Sequence, residues 1–374
     1  MTISSTSSVP FLELTRSFEE IRDDVLADVA DALDTAAFVN GPAVGEFEAA
    51  FAAYCGVDHC VGLASGLDGL RLALEACGVG AGDEVLVPAM TFVATWEAVS
   101  QVGAVPVPVD VTADDYGMDP GAAEAAIGER TRAALPVHLY GQMVDPAGIA
   151  RLVGRGVTVV EDACQAHGAV RAGRTAGSVG AAGVFSFYPS KNLGAIGDAG
   201  ALVTSDAELA RRVRALREHG QLRKYEHTWV GWTARIDTIQ AAVLLRKLRL
   251  LEGWNADRRR VAAWYGEELE GVGDLVLPRV AEDSEPVWHV YVVMTEDPDG
   301  LARHLGEHGV GTGRHYPEAP HLSEAYRSLG YRTGAFPVAE RIGRQCLSLP
   351  MFPGLTEEQV QHVAGAARLW FAGG

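Results

Sequence analysis

The chain has 374 residues, of which 48% are hydrophobic and 21% charged. This length suggests two domains, and the composition excludes wholesale disorder, collagen and coiled coil. With 31 basic and 49 acidic residues the net charge is −18, so the chain repels phosphate backbones and we expect no nucleic-acid partner.

The compartment and the absence of metal are also predicted from simple patterns. No apolar run reaches the roughly 18 residues of a membrane span. The first twenty residues lack the basic start and the apolar core of a signal peptide. None of the five cysteines forms a CxxC pair, so we expect no metal site. These features favour a reducing cytoplasm and no membrane contact.

Strands and helices alternate through the first 250 residues. The predicted strands are Glu84–Pro88, Ala104–Asp110, Ala133–Leu139, Val157–Glu161, Val184–Tyr188 and Ala201–Thr204. The predicted helices are Leu67–Cys77, Phe92–Gln101, Gly121–Ala126, Pro146–Val153, Ala207–Glu218 and Ile236–Leu251. Because the strands are apolar throughout, both of their faces are expected to be buried, which predicts an α/β fold with a mainly parallel sheet between helices.

The pattern changes near residue 250. A long polar helical segment, LEGWNADRRRVAAWYGEELE, is followed by further predicted elements: Trp288–Met294 (strand), Leu301–Glu307 (helix), Val310–His315 (strand) and Glu357–Phe371 (helix). We therefore expect a large α/β domain at residues 1–250, including the N-terminal segment, and a smaller α+β domain at residues 251–374.

The segment VGLASGLDGLRLALEA places Ser65 among glycines at the start of a helix. The free N–H groups and the positive dipole end of a helix N-terminus favour phosphate. The alternative is an ordinary helix start capped by Ser65 or Asp68. In the following segment, MTFVATWEAV, Phe92 comes shortly after a predicted strand, where it would either stack on a flat ligand ring or belong to the core.

The segment VTVVEDACQAHGA carries Asp162 at the end of a buried strand. A carboxylate in this position can pair with a protonated ring nitrogen, as in enzymes that use pyridoxal phosphate (PLP). The alternative is a cap on the next helix. His167 in the same segment is predicted to be a hydrogen-bonded structural histidine.

The segment FSFYPSKNLGAIGDAG carries Lys191 after an apolar strand. Burial among aromatic residues and glycines would lower the pKa of this lysine and make its amine a nucleophile for Schiff-base formation. A solvated lysine on a surface loop is the alternative. In open parallel sheets ligands bind at the carboxyl ends of the strands, where both Asp162 and Lys191 are expected.

Two basic segments stand out in an otherwise acidic chain. HGQLRKYEHTWVGWTARIDTIQAA contains Arg223, Lys224, His227 and Arg235, and GTGRHYP contains Arg314, His315 and Tyr316. For each single residue of the first segment, a solvated surface loop is the favoured interpretation. A short strand that ends in a loop would explain the second segment equally well.

Taken together and in this order, the motifs resemble those of the sugar aminotransferases of the DegT/DnrJ/StrS family, which are fold-type-I PLP-dependent transferases. The resemblance covers nearly the whole chain, from GPAVGEFEAAFAAYCGV to LSLPMFPGLTEEQV. It implies a large domain with a seven-stranded, mainly parallel sheet, and a homodimer whose active sites are shared between subunits.

The resemblance also implies roles for individual residues. Lys191 would form the Schiff base with PLP and move the proton, and Asp162 would hold the pyridine nitrogen. Gln165 would lie near the phenolic oxygen of the ring, and Phe92 would stack on it. The remaining cofactor contacts, mainly to the phosphate, would come from Ser65, Gly66, Leu67, Ser186 and, from the partner subunit, Thr233. The residues that would face the nucleotide sugar are Tyr188, Lys224, His315 and Tyr316.

The implied reaction moves an amino group from L-glutamate, through the pyridoxamine phosphate (PMP) form, to carbon 3 or carbon 4 of a dTDP-linked keto-deoxysugar. The product would serve a secondary metabolite or a surface glycan. Two positions depart from the family pattern: Leu67 replaces a common Thr, and Thr233 replaces a common Asn. Leu67 lacks the hydroxyl that would contact the phosphate, and Thr233 has a shorter reach than Asn, so both changes weaken the expected phosphate contacts.

Two alternatives remain open. One is another PLP- or PMP-dependent reaction on a nucleotide sugar, such as dehydration or elimination; related dehydratases have His where this chain has Lys191, which favours transamination. The other is a non-catalytic regulatory member of the family, which would have no need of Lys191, Asp162 and Gln165 together.

Overall fold

A seven-stranded sheet forms the centre of the computed structural model, which describes residues 8–373. Residues 1–7 of the predicted large domain, and Gly374 of the predicted small domain, lie outside this range. The α-helices are α1 (Arg22–Thr35), α2 (Pro42–Cys55), α3 (Gly66–Ala76), α4 (Ala94–Gln101), α5 (Pro120–Ala125), α6 (Pro146–Gly154), α7 (Ala207–Leu216), α8 (Thr238–Leu248), α9 (Leu251–Leu269), α10 (Pro298–Glu307), α11 (Pro337–Gln345) and α12 (Glu357–Ala372).

The strands include several two-residue pairings besides those of the main sheet. They are β1 (His59–Leu63), β2 (Glu84–Pro88), β3 (Val105–Val109), β4 (Thr131–Ala134), β5 (Thr158–Asp162), β6 (Val170–Arg171), β7 (Arg174–Thr175), β8 (Ala182–Ser186), β9 (Gly200–Thr204), β10 (Gln221–Arg223), β11 (Glu226–His227), β12 (Ser284–Glu285), β13 (Tyr291–Met294) and β14 (Cys346–Leu349).

The order of the main sheet is β1-β9-β8-β5-β4-β2-β3. From β3 to β8 all neighbours run parallel, whereas β9 runs antiparallel to both β8 and β1. This confirms the predicted α/β class and the mainly parallel sheet. Helices cover both faces because the strands are apolar on both: Leu70 and Trp96 pack on one face, and Phe47 and Phe51 on the other.

A second, smaller core joins α9, α10 and α12 to the antiparallel pair β13 and β14. Val261, Leu301 and Val363 are buried in it, and so is Val9 from the other end of the chain. The chain thus contributes to this unit from both ends, although Val9 lies within the range predicted for the large domain. Among residues 8–373, no helix has the length and apolar character needed to cross a membrane.

Several predicted elements differ from the structure. The predicted strand at Val310–His315 is wrong: only isolated bridges form there, from Val310 to Val9 and from Gly313 to Ser348. Two glycines leave this segment few side chains to pack, which weakens a strand. The predicted strands Ala133–Leu139 and Val184–Tyr188 extend too far, because the strands end at Ala134 and Ser186. Helices α1, α2 and α11 and strands β1 and β14 were not predicted.

Candidate active site

The candidate site lies at the carboxyl edge of the sheet. Asp162 is the last residue of β5 and Ser186 the last residue of β8, and these two strands are parallel neighbours. Parallel strands bring their carboxyl ends to one edge, so the loops that follow them meet there. A cavity of about 390 Å³ opens at this edge.

Most of the predicted site residues line this cavity, although they come from distant parts of the chain. They are Ser65, Gly66, Leu67, Phe92, Asp162, Gln165, Ser186, Tyr188, Lys191, His315 and Tyr316. Residues that sequence reasoning did not assign to the site also line it. They include Thr91, Thr95, Cys164, Asp198 and His289.

Asp162 is held as a buried carboxylate with 5% of its surface exposed. Its Oδ2 accepts a hydrogen bond of 2.8 Å from the Thr95 hydroxyl, and its Oδ1 accepts one of 3.2 Å from the Cys164 N–H. Asp162 does not cap a helix, since it closes a strand whose next residues form a turn. The alternative reading of this residue as a helix cap is therefore wrong.

Lys191 lies in the loop after β8 and lines the same cavity. Burial lowers the pKa of its amine, and the nearby Cys164 thiol and Asp162 carboxylate offset that effect only in part. Within residues 8–373 its ammonium group forms no ion pair. A lysine whose charged form is disfavoured, next to a cavity, has the character of a nucleophile rather than of a surface charge.

The turn between β1 and α3 presents a helix N-terminus to the cavity. The Ser65 hydroxyl caps α3 by accepting a 3.0 Å hydrogen bond from the Asp68 N–H, which leaves the N–H groups of the first helical residues free. Gly66 is closely enclosed, because a Cβ there would lie 2.7 Å from Cys164 Sγ and 2.9 Å from Ser186 Cβ. We call this turn the cradle: it presents the free N–H groups of the α3 N-terminus to the cavity, which favours an anion.

The unit that contains the C-terminal helix supplies the opposite wall. Gln165 joins the two walls: its Oε1 accepts from the Tyr140 N–H at 2.7 Å, and its Nε2 donates to the Tyr316 hydroxyl at 3.0 Å. His315 Nδ1 lies 2.7 Å from Ser348 Oγ, and burial lowers the pKa of His315 to about 4. Its imidazole is therefore neutral at physiological pH.

Two aromatic side chains stand at the mouth of the cavity. Phe92 is 52% exposed and Tyr188 is 55% exposed, and the Phe92 ring lies 5.4 Å from the ring of Tyr316. Exposed aromatic faces beside a cavity are suited to packing against a flat or apolar ligand surface.

A second buried histidine supports the site from behind. His167 is fully buried, and its Nε2 lies 2.9 Å from the Ser186 carbonyl oxygen. Burial lowers the pKa of His167 to about 3, so its ring is neutral and donates to this carbonyl. It is a hydrogen-bonded structural histidine, as the sequence predicted.

Two predicted residues lie away from the cavity. Lys224 is exposed in the β10–β11 hairpin and lines a separate groove with Arg214 and Arg217. Thr233 is exposed, and its hydroxyl is 3.2 Å from the His219 ring. Neither is brought to the Lys191 cavity of its own chain.

The sheet and the site define a class of protein: fold-type-I PLP-dependent transferases have such a mainly parallel sheet, with a lysine and an aspartate at its carboxyl edge. The chain belongs to the DegT/DnrJ/EryC1/StrS aminotransferase family, whose model matches residues 19–368. This confirms the family predicted from the motifs.

Individual relatives agree with this assignment. The dTDP-3-amino-3,4,6-trideoxy-alpha-D-glucose transaminase of Streptomyces venezuelae is 47% identical over 368 residues, which are 98% of this chain and 97% of the relative. The crystal structure of S. venezuelae DesV in complex with a ketimine intermediate superposes with a TM-score of 0.95 at 48% identity, covering 98% of this chain and 99% of DesV.

A more distant solved structure shares the fold. NtdA from Bacillus subtilis, solved with bound cofactor PMP, has a TM-score of 0.91 at 31% identity and covers 100% of this chain and 87% of its own. The chain is therefore an aminotransferase of the sugar-processing type, and its own site residues can be considered in that light.

Proposed function

We propose that this chain is a PLP-dependent aminotransferase that moves the amino group of L-glutamate to carbon 3 of a dTDP-linked keto-deoxysugar. The observation that carries the proposal is the placement of Lys191 and Asp162 on one cavity. The name of the S. venezuelae relative supports the nucleotide and favours carbon 3 over carbon 4. The product is an aminosugar for a secondary metabolite or a surface glycan.

The donor groups of the cavity fit PLP. The α3 N-terminus at Ser65, Gly66 and Leu67 would hold the phosphate together with Ser186, and the Gly66 cradle leaves no room for a side chain. Asp162 would hold the protonated pyridine nitrogen, and Lys191 would bind the aldehyde carbon. When bound, the cofactor supplies an electron sink for carbanion chemistry.

Two further residues would orient the ring of the cofactor. Gln165 is fixed by its bonds to Tyr140 and Tyr316, so its amide would meet the phenolic oxygen in a set orientation. Phe92 at the mouth would pack on the ring face.

The protein side of the reaction depends on the state of the Lys191 amine. Because burial lowers its pKa, the amine takes a proton from the α-carbon of glutamate more readily than a solvated lysine would. In the second half-reaction it delivers a proton to the sugar carbon that receives nitrogen. Asp162 would pair with the ring nitrogen of the bound cofactor, and the hydrogen bond from the Thr95 hydroxyl keeps its carboxylate in place.

The remaining contacts to the nucleotide sugar need a second subunit. Tyr188, His315 and Tyr316 line the cavity of their own chain, whereas Lys224 and Thr233 are exposed elsewhere. We assign Lys224 to the pyrophosphate and Thr233 to the cofactor phosphate of a partner copy in a homodimer. The exposed apolar residues Leu222 and Val230 on the same loop support an interface there.

The chain would form two domains and would be located in the cytoplasm. Residues up to 250 would form the cofactor domain, apart from the segment around Val9 that packs into the second core, and residues from 251 on would form a smaller domain that closes the cavity with His315 and Tyr316. All five cysteines are free, which supports a reducing cytoplasm.

The visible absorption spectrum of the PLP-treated protein tests the donor half-reaction. We expect a yellow band that bleaches on addition of L-glutamate, and no such band in Lys191→Ala or in the charge-matched Lys191→Arg. A band that persists in either variant would overturn the role of Lys191.

The acceptor is tested with dTDP-linked 3-keto and 4-keto 6-deoxyhexoses. The 3-keto sugar should restore the band, with the aminosugar detected by mass spectrometry. Restoration by the 4-keto sugar alone would overturn carbon 3, and loss of water instead of gain of nitrogen would indicate a dehydratase. A protein that never forms the band would indicate a regulatory family member.

A further inference from the structure

His289 lies at the cavity but has no part in the chemistry described above. It precedes β13, and its backbone is fixed by a 2.9 Å hydrogen bond from the His289 N–H to the Tyr140 carbonyl. The neighbouring Val287 N–H bonds to the Gly141 carbonyl at 3.0 Å. The imidazole is thus carried on a backbone segment anchored at two points.

A buried amide chain sets which ring nitrogen of His289 carries the proton. Asn192 Nδ2 donates to the Val287 carbonyl at 2.8 Å and to Asn255 Oδ1 at 3.1 Å. The orientation of Asn255 is itself fixed, because its Nδ2 donates to the His167 carbonyl at 2.9 Å. Asn192 therefore turns its Oδ1 towards His289, whose Nδ1 is 3.2 Å away. Since an amide oxygen only accepts, Nδ1 of His289 bears the hydrogen.

The groups around His289 keep the ring neutral. Burial lowers its pKa well below the ordinary value, and the neighbouring Lys191 and Arg258 act in the same direction. Arg258 Nη1 donates to the His289 carbonyl at 3.2 Å. With Nδ1 protonated and the ring neutral, Nε2 carries a lone pair. Among residues 8–373, no group hydrogen-bonds to this nitrogen.

A lone pair at the cavity distinguishes the two substrates of a sugar aminotransferase. The amino group of glutamate is its reacting group, and its remaining polar groups are carboxylates, which accept hydrogen bonds and have none to donate to a neutral acceptor. A ketosugar carries hydroxyl groups, which can donate to it. We propose that His289 is a specificity-determining residue whose Nε2 accepts a hydrogen bond from a hydroxyl of the ketosugar, held in the acceptor form by Asn192. This inference rests on the function proposed above.

Single-turnover kinetics of the two half-reactions test the proposal. In His289→Phe we expect the rate constant of the glutamate half-reaction to stay within about twofold of wild type. The kcat/KM for the ketosugar, taken as whichever of the 3-keto and 4-keto 6-deoxyhexoses reacts faster, should fall about tenfold. His289→Gln, whose amide oxygen can accept at the same reach, should recover most of that loss. An equal loss in both half-reactions, or no loss with the sugar, would overturn the proposal.

A second measurement does not depend on activity. In cofactor-free protein labelled with ¹⁵N-histidine, and assigned by comparison with His289→Gln, the His289 signal should show the Nδ1–H tautomer and not titrate between about pH 6 and 8. An Nε2–H tautomer or a titration would overturn it. If the wild-type protein does not take the amino group from glutamate, the proposed function is wrong. The tautomer of His289 is tested by the NMR spectrum alone, so the two failures can be told apart.

Discussion

The Thr95 hydroxyl donates a hydrogen bond of 2.8 Å to Oδ2 of Asp162, at the carboxyl edge of the sheet. Because a hydroxyl has one proton, Thr95 must accept in its contact of 2.9 Å with Thr91 Oγ1. Helix α4 and the turn before it thus supply a chain of two hydroxyls that ends on the carboxylate. No arginine among residues 8–373 pairs with Asp162, and the two hydroxyls help to hold its buried carboxylate instead.

Replacing Thr95 by the equally large Val removes the bond to the carboxylate. A hydrogen bond to a charged group contributes about 1.5–3 kcal/mol, so Thr95→Val should lower the free energy of unfolding by that amount in urea titrations. Thr91→Val is the matched control, since it loses only a bond between two neutral hydroxyls, worth about 1 kcal/mol. Equal losses in the two variants would contradict the donor assignment.

Lys191 should react as an amine at lower pH than an ordinary lysine. The chain has three lysines, Lys191, Lys224 and Lys247, so labelling with a small acylating reagent can be followed at each by mass spectrometry. Only the unprotonated amine reacts, and burial lowers the pKa of Lys191; labelling of cofactor-free protein should therefore show a midpoint below about 10.4.

The exposed Lys224 serves as the internal reference for reagent stability in that experiment. Prior treatment with PLP should protect Lys191 and leave Lys224 labelled. A midpoint for Lys191 at or above the ordinary value would show that its charged form is not disfavoured.

The sequence predicted the main sheet and most of the cavity because both depend on local patterns. The predicted strands Val157–Glu161 and Val184–Tyr188 correspond to β5 and β8 apart from their ends, and the parallel pairing of β5 and β8 brings Lys191 and Asp162 to one edge of the sheet. The strand at His59–Leu63 was missed because HCVGL is short and leads directly into the glycines of the next turn.

Other features depend on contacts that a sequence pattern does not specify. His289 reaches the cavity only because Asn192 and Gly141, far away in the chain, fix its position. His289 lies in the predicted strand Trp288–Met294, but the sequence pattern indicates no role for it in the site. Val310–His315 has strand-forming residues at its ends, but its pairing is limited to isolated bridges.

Lys247 makes stability depend on pH in the alkaline range. Its Nζ donates to the Gly194 carbonyl at 2.7 Å and lies 4.4 Å from the centre of the Phe18 ring, and burial lowers its pKa to about 8. Below pH 8 the amine is charged in the folded and unfolded states, so the folded state bears the full desolvation cost. Between about pH 8 and 10.4 only the folded protein releases the proton, and stability rises.

This contribution should reach about 3 kcal/mol across that range and disappear in Lys247→Met. The measurement is the difference in unfolding free energy between wild type and Lys247→Met at several pH values, because tyrosine and cysteine titrations common to both proteins cancel. A difference that does not change with pH would show that Lys247 keeps its ordinary pKa.

Gly66 should tolerate no side chain, because Cys164 and Ser186 fill the space that a Cβ would need. A Cβ in Gly66→Ala would lie 2.7 Å from Cys164 Sγ and 2.9 Å from Ser186 Cβ, which forces α3 or β8 to shift. Such overpacking costs about 1–3 kcal/mol of stability, measured by urea denaturation. A displaced helix N-terminus should also weaken PLP binding by about tenfold, measured by absorption titration.

Gly253→Ala is the matched control for this change. Gly253 is an exposed residue within α9, and a Cβ there would have nothing within 4 Å, so alanine should raise helix stability by up to about 1 kcal/mol and leave PLP binding unchanged. The two substitutions add the same methyl group. If Gly66→Ala lowers the unfolding free energy and Gly253→Ala raises it, the loss is due to the crowding around Gly66. If Gly66→Ala matched wild type in both stability and PLP affinity, the cradle would not hold the phosphate.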